Sequence, residues 1–238
     1  MGKTRAAQKS GDLVQPNLPF PHSHGGRRPG AGRKRIKPSD RGYVPHTTRP
    51  AHRKCNPVHI TVRQRPKLRS FRAKRTFAII RDCFAKGCDR FGFRLIHFSV
   101  QSNHLHLICE ADDRRAMSRG LQGLLSRIAK AVNRLWHRKG SVFRERYHEE
   151  VLESPSRIRN AIRYVLNNLW KHIGRHVPRL AFRGLDPMAS GIWFDGWNYR
   201  PAYDAPDPPT ARSQAWMLHT GWKQLGLIDK DSVPGPLR

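Results

Sequence analysis

Residues 93–110 read FRLIHFSVQSNHLHLICE. Apolar-rich runs flank Ser102-Asn103, a turn-forming pair, so the stretch predicts a hairpin with strands over Phe93–Gln101 and His104–Ala111. In the second of these strands, a period of two sends His104, His106, Ile108 and Glu110 to one face. Leu105, Leu107 and Cys109 go to the other. Upstream, VHITVR (58–63) alternates in the same way, with Val58, Ile60 and Val62 inward and His59, Thr61 and Arg63 outward, which is the pattern of a half-buried strand. Between the two, Phe77, Ile80, Phe84 and Cys88 recur at helical spacing, predicting a helix over about 70–91 that Gly92 ends. Downstream, Asp112-Asp113 open a long helix to about Arg138, their negative charges favourable at its positive end. Its apolar stripe includes Met117, Leu121, Leu124, Ile128, Val132 and Leu135, and Gly140 stops it. Ser141–Leu152 reads as a fourth strand. Ser154 and Pro155 then open a last helix, as N-cap and first helical residue. The order β-α-β-β-α-β predicts an α+β, ferredoxin-like sandwich. It has a four-stranded antiparallel sheet, both crossover helices on one face, and the first and third strands as the central pair.

The rest of the chain extends this unit of about 57–173 in both directions. The formal net charge is +29, from 46 Lys+Arg against 17 Asp+Glu. Such a balance favours nucleic acid as partner. An anionic membrane surface is the weaker alternative, because the cations are spread along the whole chain. No apolar run is long enough for a signal peptide or a membrane span, so a cytoplasmic protein without membrane association is expected. The four cysteines form no CxxC pair, and Cys83 and Cys109 read as small core residues. Residues 1–56 carry no hydrophobic period and read as a disordered basic arm. Its densest part is GGRRPGAGRKRIK (25–37), where Arg27, Arg28, Arg33, Lys34 and Arg35 are spaced by Gly and Pro. That run suits either insertion into a minor groove or nonspecific phosphate contact. Residues 174–238 are rich in Gly, Pro and Asp, with Trp193 and Trp197 in GIWFDGW and a short helix expected over about 211–225. The aromatic residues there suit packing onto the core more than stacking on bases.

Candidate chemistry lies in two places. His104 and His106, two residues apart on a strand, stand side by side and can point at one ion, although His-x-His alone is a weak signal. On the last helix, Ile158, Ile162, Val165, Leu169 and Ile173 form the apolar stripe, and Tyr164 lies on the opposite side near Asn160, Asn167 and Lys171. Asn168 follows one turn later on the side of Tyr164, and its amide oxygen can ligate a hard cation. On spacing alone, a nucleophilic Tyr164 and an exposed tyrosine on a solvated face are equally open. Tyr147 is the competing phenol, but its alternation with Phe143 suggests packing.

The runs VHITVR (58–63), FRLIHFSVQSNHLHLICE (93–110), VFRERYH (142–148) and RYVLNN (163–168), in this order, resemble the single-tyrosine HUH transposases, in particular the REP-associated tyrosine transposases. The resemblance implies a metal site of His104, His106 and Asn168 for Mg²⁺ or Mn²⁺, with Tyr164 as nucleophile. It also implies cleavage and strand transfer of single-stranded or hairpin DNA through a 5′-phosphotyrosine. His59 matches a family histidine, and with Arg63 it would support the site or contact DNA. Arg114, Arg115, Arg119 and Arg127 on the long helix would hold the DNA backbone. Asn168-Leu169-Trp170 departs from the Asn-Pro-Val that often follows the tyrosine in this family. A non-cleaving, domesticated hairpin-binding protein on the same fold is the alternative, and monomer and homodimer are both open.

Overall fold

The structure, a computed structural model, describes residues 52–169, 184–199 and 205–232. The basic arm and its candidate DNA-binding residues Arg27, Arg28, Arg33, Lys34 and Arg35 lie outside the described residues, as do Lys171 and Ile173.

The elements are β1 (Val58–Arg63), α1 (Lys74–Ala85), β2 (Asp89–Arg90), β3 (Phe93–Val100), β4 (His104–Ala111), α2 (Arg114–Leu135), β5 (His148–Val151) and α3 (Pro155–Leu166). A short helix α4 (Trp216–His219) follows. They form an antiparallel sheet in the order β2-β3-β4-β1-β5. Apart from the two-residue β2, this is the expected ferredoxin-like sheet, with β1 and β4 adjacent at its centre. The N-caps are as the sequence suggests. Asp113 Oδ1 accepts from the Ala116 amide at 2.7 Å, and Ser154 accepts from the Arg157 amide with Pro155 beside it.

Two boundaries differ from the expectation. The first helix ends at Ala85, because Asp89 and Arg90 turn to pair with Arg94 and Phe93. Gly92 is therefore a hairpin residue and not a helix stop. It and Phe91 both have positive φ (77° and 54°), the twist that a two-residue hairpin loop needs. The fourth strand is shorter than 141–152. Thr61 pairs with His148 and Gln64 with Phe143. Three steps along β1 (64 − 61) thus face five on the other side (148 − 143). Two surplus residues lie in the 144–147 stretch and break regular pairing.

The sheet is covered on both faces. On one, α1 and α2 bury Ile60, Leu95, Phe98, Leu105 and Leu107 against Phe84, Leu121 and Ile128. On the other, Ile108 packs against Ile158, Ile162 and Val165 of α3, with Phe194, Trp197 and Trp222 from the C-terminal segments. Tyr147 packs against the first of these cores, as its alternation with Phe143 suggests.

Polar anchors fix the C-terminal segments in place. Arg72 donates to both carboxylate oxygens of Asp186 at 2.8 and 2.9 Å. Glu110, 1% exposed, accepts from Ser213 Oγ and from the amides of Gln214 and Ala215, and it pairs with Arg94. Arg159 donates to the carbonyls of Gly226 and Leu227, and Asn167 Nδ2 to those of Asp229 and Ser232. No helix among the described residues is long and apolar enough to cross a membrane. Cys55, Cys83, Cys88 and Cys109 are all unbridged thiols.

Glu110→Ala is expected to cost about 3–5 kcal/mol, because it leaves the buried Arg94 guanidinium with Asp112 alone and strands the amides of 214–215. Chemical denaturation measures that loss, and limited proteolysis should cut first within 205–232. His97, pressed edge-on against Phe194 at 5.3 Å, has its pKa lowered by burial from 6.5 to about 4, with the Asp195 charge opposing. Between those values the unfolded chain takes up the proton and the folded chain does not, so stability falls as pH drops through this window. The melting temperature should fall between pH 7 and pH 5, and by less in His97→Gln.

Candidate active site

The end of the sheet where β4 begins gathers the titratable side chains. His104 and His106 project from β4 to the α3 side, and Thr61 and His59 come from the adjacent β1, where Thr61 is the cross-strand partner of His106. Glu150 stands opposite His59 on β5. His59 and His106 are 3% and 4% exposed, so their ring nitrogens must find partners within the protein.

These partners fix the rings. His104 Nδ1 donates to Asn103 Oδ1 at 2.8 Å, which makes Nε2 the unprotonated nitrogen of the neutral ring. His106 Nδ1 lies 3.2 Å from both Thr61 Oγ1 and His59 Nε2. His59 Nδ1 lies 3.9 Å from Glu150 Oε2. The imidazole of His59 holds the Glu150 carboxyl below its usual range, with burial opposing. The consistent assignment sends protons outward from His106 Nδ1 to His59 and from His59 Nδ1 to Glu150. His106 Nε2 is then unprotonated as well, and it faces His104 Nε2 at 3.0 Å. Two lone pairs turned on one point suit a cation. Two nitrogens each about 2.1 Å from one ion and about 90° apart would be separated by about 3.0 Å.

Helix α3 brings Tyr164 to this cluster. Its ring packs edge-on against His106 at 5.2 Å and against His59 at 5.9 Å. Burial holds the phenol above its usual pKa, and the positive charge of Arg63 opposes that shift. The polar side of α3 is therefore not a solvated face, since Tyr164 is half-buried and Asn167 is 1% exposed. Asn168 is fully buried, and neither its Oδ1 nor its Nδ2 has a hydrogen-bond partner. It lies one helical turn beyond Tyr164, on the same side. A buried amide without partners costs about 1–3 kcal/mol, so this one is suited to a group that the chain does not itself supply.

The structure thus brings together His59, His104, His106 and Tyr164, with Arg63 close enough to act on the phenol. It does not bring Arg114, Arg115, Arg119 and Arg127 to the cluster: α2 lies on the opposite face of the sheet. Among the described residues, no group of three or more His, Cys, Asp or Glu is arranged to hold a metal. Thr61, Asn103 and Glu150 are parts of the site that the sequence reading missed. Thr61 was legible in principle, two residues beyond His59 on the same strand face. Glu150 depended on the register of the irregular last strand.

Fold and site define an α+β domain with paired strand histidines and a tyrosine on the following helix. Residues 55–168, just under half of the chain, match the family model described as Transposase IS200 like. No curated protein matches the chain in sequence. Among solved structures, it is similar to a REP-associated tyrosine transposase bound to a REP hairpin. The identity is 17%, covering 54% of this chain and 74% of that one, with a TM-score of 0.46. It is also similar to a protein from Deinococcus radiodurans R1 described as a transposase (13% identity, 57% of this chain, 94% of that one, TM-score 0.36).

Asn168→Leu removes an unsatisfied buried amide at nearly constant volume. It is expected to stabilise the metal-free protein by about 1–3 kcal/mol, or about 2–4 °C in melting temperature per kcal/mol. A thermal melt in chelator checks this, and a lower melting temperature would mean that the amide is satisfied in the free protein.

Proposed function

We propose that this protein cleaves and rejoins single-stranded DNA through a covalent 5′-phosphotyrosine on Tyr164, acting on strands that fold into hairpins. The observation that carries this reading is the packing of the Tyr164 ring against the inward-turned imidazole of His106, within one chain. The substrate class follows from the family and from the net charge of +29.

His104 and His106 through Nε2, and Asn168 through Oδ1, would hold a divalent cation, Mg²⁺ or Mn²⁺. When bound, it supplies Lewis-acid polarisation of a phosphate oxygen. The protein does the rest. The Tyr164 oxygen attacks phosphorus as the bond from phosphorus to the 3′ oxygen breaks. The phenol loses its proton, and the departing 3′ oxygen gains one. The product pair is a 5′-phosphotyrosine and a 3′-hydroxyl, which reverses the step on the same or another strand without ATP. The raised phenol pKa keeps Tyr164 protonated at neutral pH, so attack is coupled to proton loss. The nearby positive charge of Arg63 favours the developing phenolate. Glu150, His59 and Thr61 hold the orientation of His106, a role in which loss of a partner typically lowers metal affinity or activity by about 10–100-fold.

A covalent-trapping assay tests this. The protein is incubated with hairpin oligonucleotides from the repeats flanking its gene, with Mn²⁺ or Mg²⁺, and adducts are resolved under denaturing conditions. The expected result is an adduct abolished in Tyr164→Phe and by chelator, nearly abolished in His104→Ala, and reduced about 10–100-fold in His59→Ala. An adduct that survives Tyr164→Phe would move the nucleophile elsewhere. Tight hairpin binding with no adduct on any repeat would replace the enzyme with a binding protein.

A further inference from the structure

A cavity of about 670 Å³ lies between β3, inside the part of the chain that matches the family, and the C-terminal segments that follow it. Its size falls within the range of small-ligand sites, about 300–1,000 Å³. A bulge in β3 forms one of its walls. Leu95 pairs with Cys109 and His97 with Ile108, so Ile96 is the surplus residue. Both Ile96 and His97 line the cavity. The opposite walls are aromatic. Phe194 stacks on Trp222 with ring centroids 5.5 Å apart, and the half-buried Trp193 is held by its indole N–H, which donates to the Pro206 carbonyl at 2.6 Å. Asp195, Arg212 and His219, all exposed, supply the ionisable part of the remaining lining, with hydroxyls from Ser190, Thr210 and Ser213.

We propose that this cavity receives an unpaired nucleobase of the bound DNA strand, one that carries an exocyclic amine. The proposal rests on the reading that the chain binds single-stranded DNA, but not on cleavage. The half-buried indole of Trp193 suits a base because every base offers a π-face, while Phe194 and Trp222 back that wall with their faces turned on each other. The polar lining argues against a phosphate. The Asp195 carboxylate, although paired with Lys223, offers hydrogen-bonding capacity that an anion could not use, and His97 is neutral at physiological pH. In a chain with 17 acidic residues against 46 basic ones, a phosphate site would be expected to carry cations alone. A carboxylate instead accepts from the amino group of cytosine, adenine or guanine, and thymine has none to offer. Lys223 donates to Asp195 Oδ2 at 2.8 Å, which steadies the carboxylate. The position fits the same strand that the histidines would hold. His97 is the cross-strand partner of Ile108 and Ser99 that of His106, so the cavity begins about 7 Å along β3 from the level of His106, on the same sheet face.

The test measures binding alone, using the full chain with Tyr164→Phe, in chelator and at fixed salt, so that failure of the cleavage reading leaves it intact. Fluorescence anisotropy follows the labelled deoxy hexanucleotides dC6, dA6 and dT6. The expected result is that dT6 binds about tenfold more weakly than dC6, and that Asp195→Asn narrows this gap. Trp193→Ala should weaken dC6 about tenfold. Ile192→Trp, which adds bulk at the cavity wall, should level the three affinities, with a wild-type melting temperature confirming the fold. Equal binding of the three hexamers, or an unchanged dC6 affinity in a folded Ile192→Trp protein, would overturn the proposal. So would free dCMP binding as tightly as dC6, or a ribo-hexamer binding more tightly, since either would assign the cavity to another source of the base.

Discussion

Strand β4 is buried on both faces, and that constraint organises everything around it. Its odd-numbered residues Leu105, Leu107 and Cys109 fill the helix-side core. The even-numbered ones form a graded series on the other face. His104 and His106 belong to the candidate site, Ile108 to the second hydrophobic cluster, and Glu110 to the anchor that accepts from residues 213–215. A slip of one residue in register would exchange these two sets, putting imidazoles into the core and leucines into the site. One central strand therefore ties the geometry of the histidines to the same pairing that stabilises the sheet.

The imidazoles are also held chemically. Each ring has its Nδ1 engaged by a neighbour, and those neighbours come from three sources: the turn residue Asn103, strand β1, and through His59 the edge strand β5. Tyr164 arrives from α3, so the cluster depends on the sheet register and on the seating of that helix. The helix is seated by apolar packing on one side and by carbonyl contacts from the C-terminal segments on the other.

Much of this was legible in the sequence, and the failures have physical causes. The alternation of β1 and β4 and the caps at Asp113 and Ser154 are local signals, and they place His59, His104, His106 and Tyr164 correctly on their elements. The hairpin at Phe91-Gly92 was read as a helix end because glycine punctuates both. The last strand was drawn too long because alternation cannot reveal a two-residue surplus against β1. A solvated polar face of α3 stayed open on spacing alone, because helical periodicity treats everything beyond the helix as water. Here that space is occupied by residues more than 60 positions away, such as Asp229 and Ser232. The same blindness hid Glu150, which meets His59 only through strand pairing.

Asn167 and Asn168 are neighbours in sequence with opposite circumstances: one carboxamide is tied to the carbonyls of Asp229 and Ser232, the other has no partner. The family match ends at residue 168, yet the first of these side chains is satisfied only by backbone some sixty residues later. The boundary of the shared module is therefore not a boundary of folding. A chain trimmed to the module would lay bare Ile96, Ile108 and the apolar side of α3 and leave the Glu110 carboxylate without its amide donors. For this protein, the segment that matches the family and the C-terminal segments that cover it share one set of buried contacts.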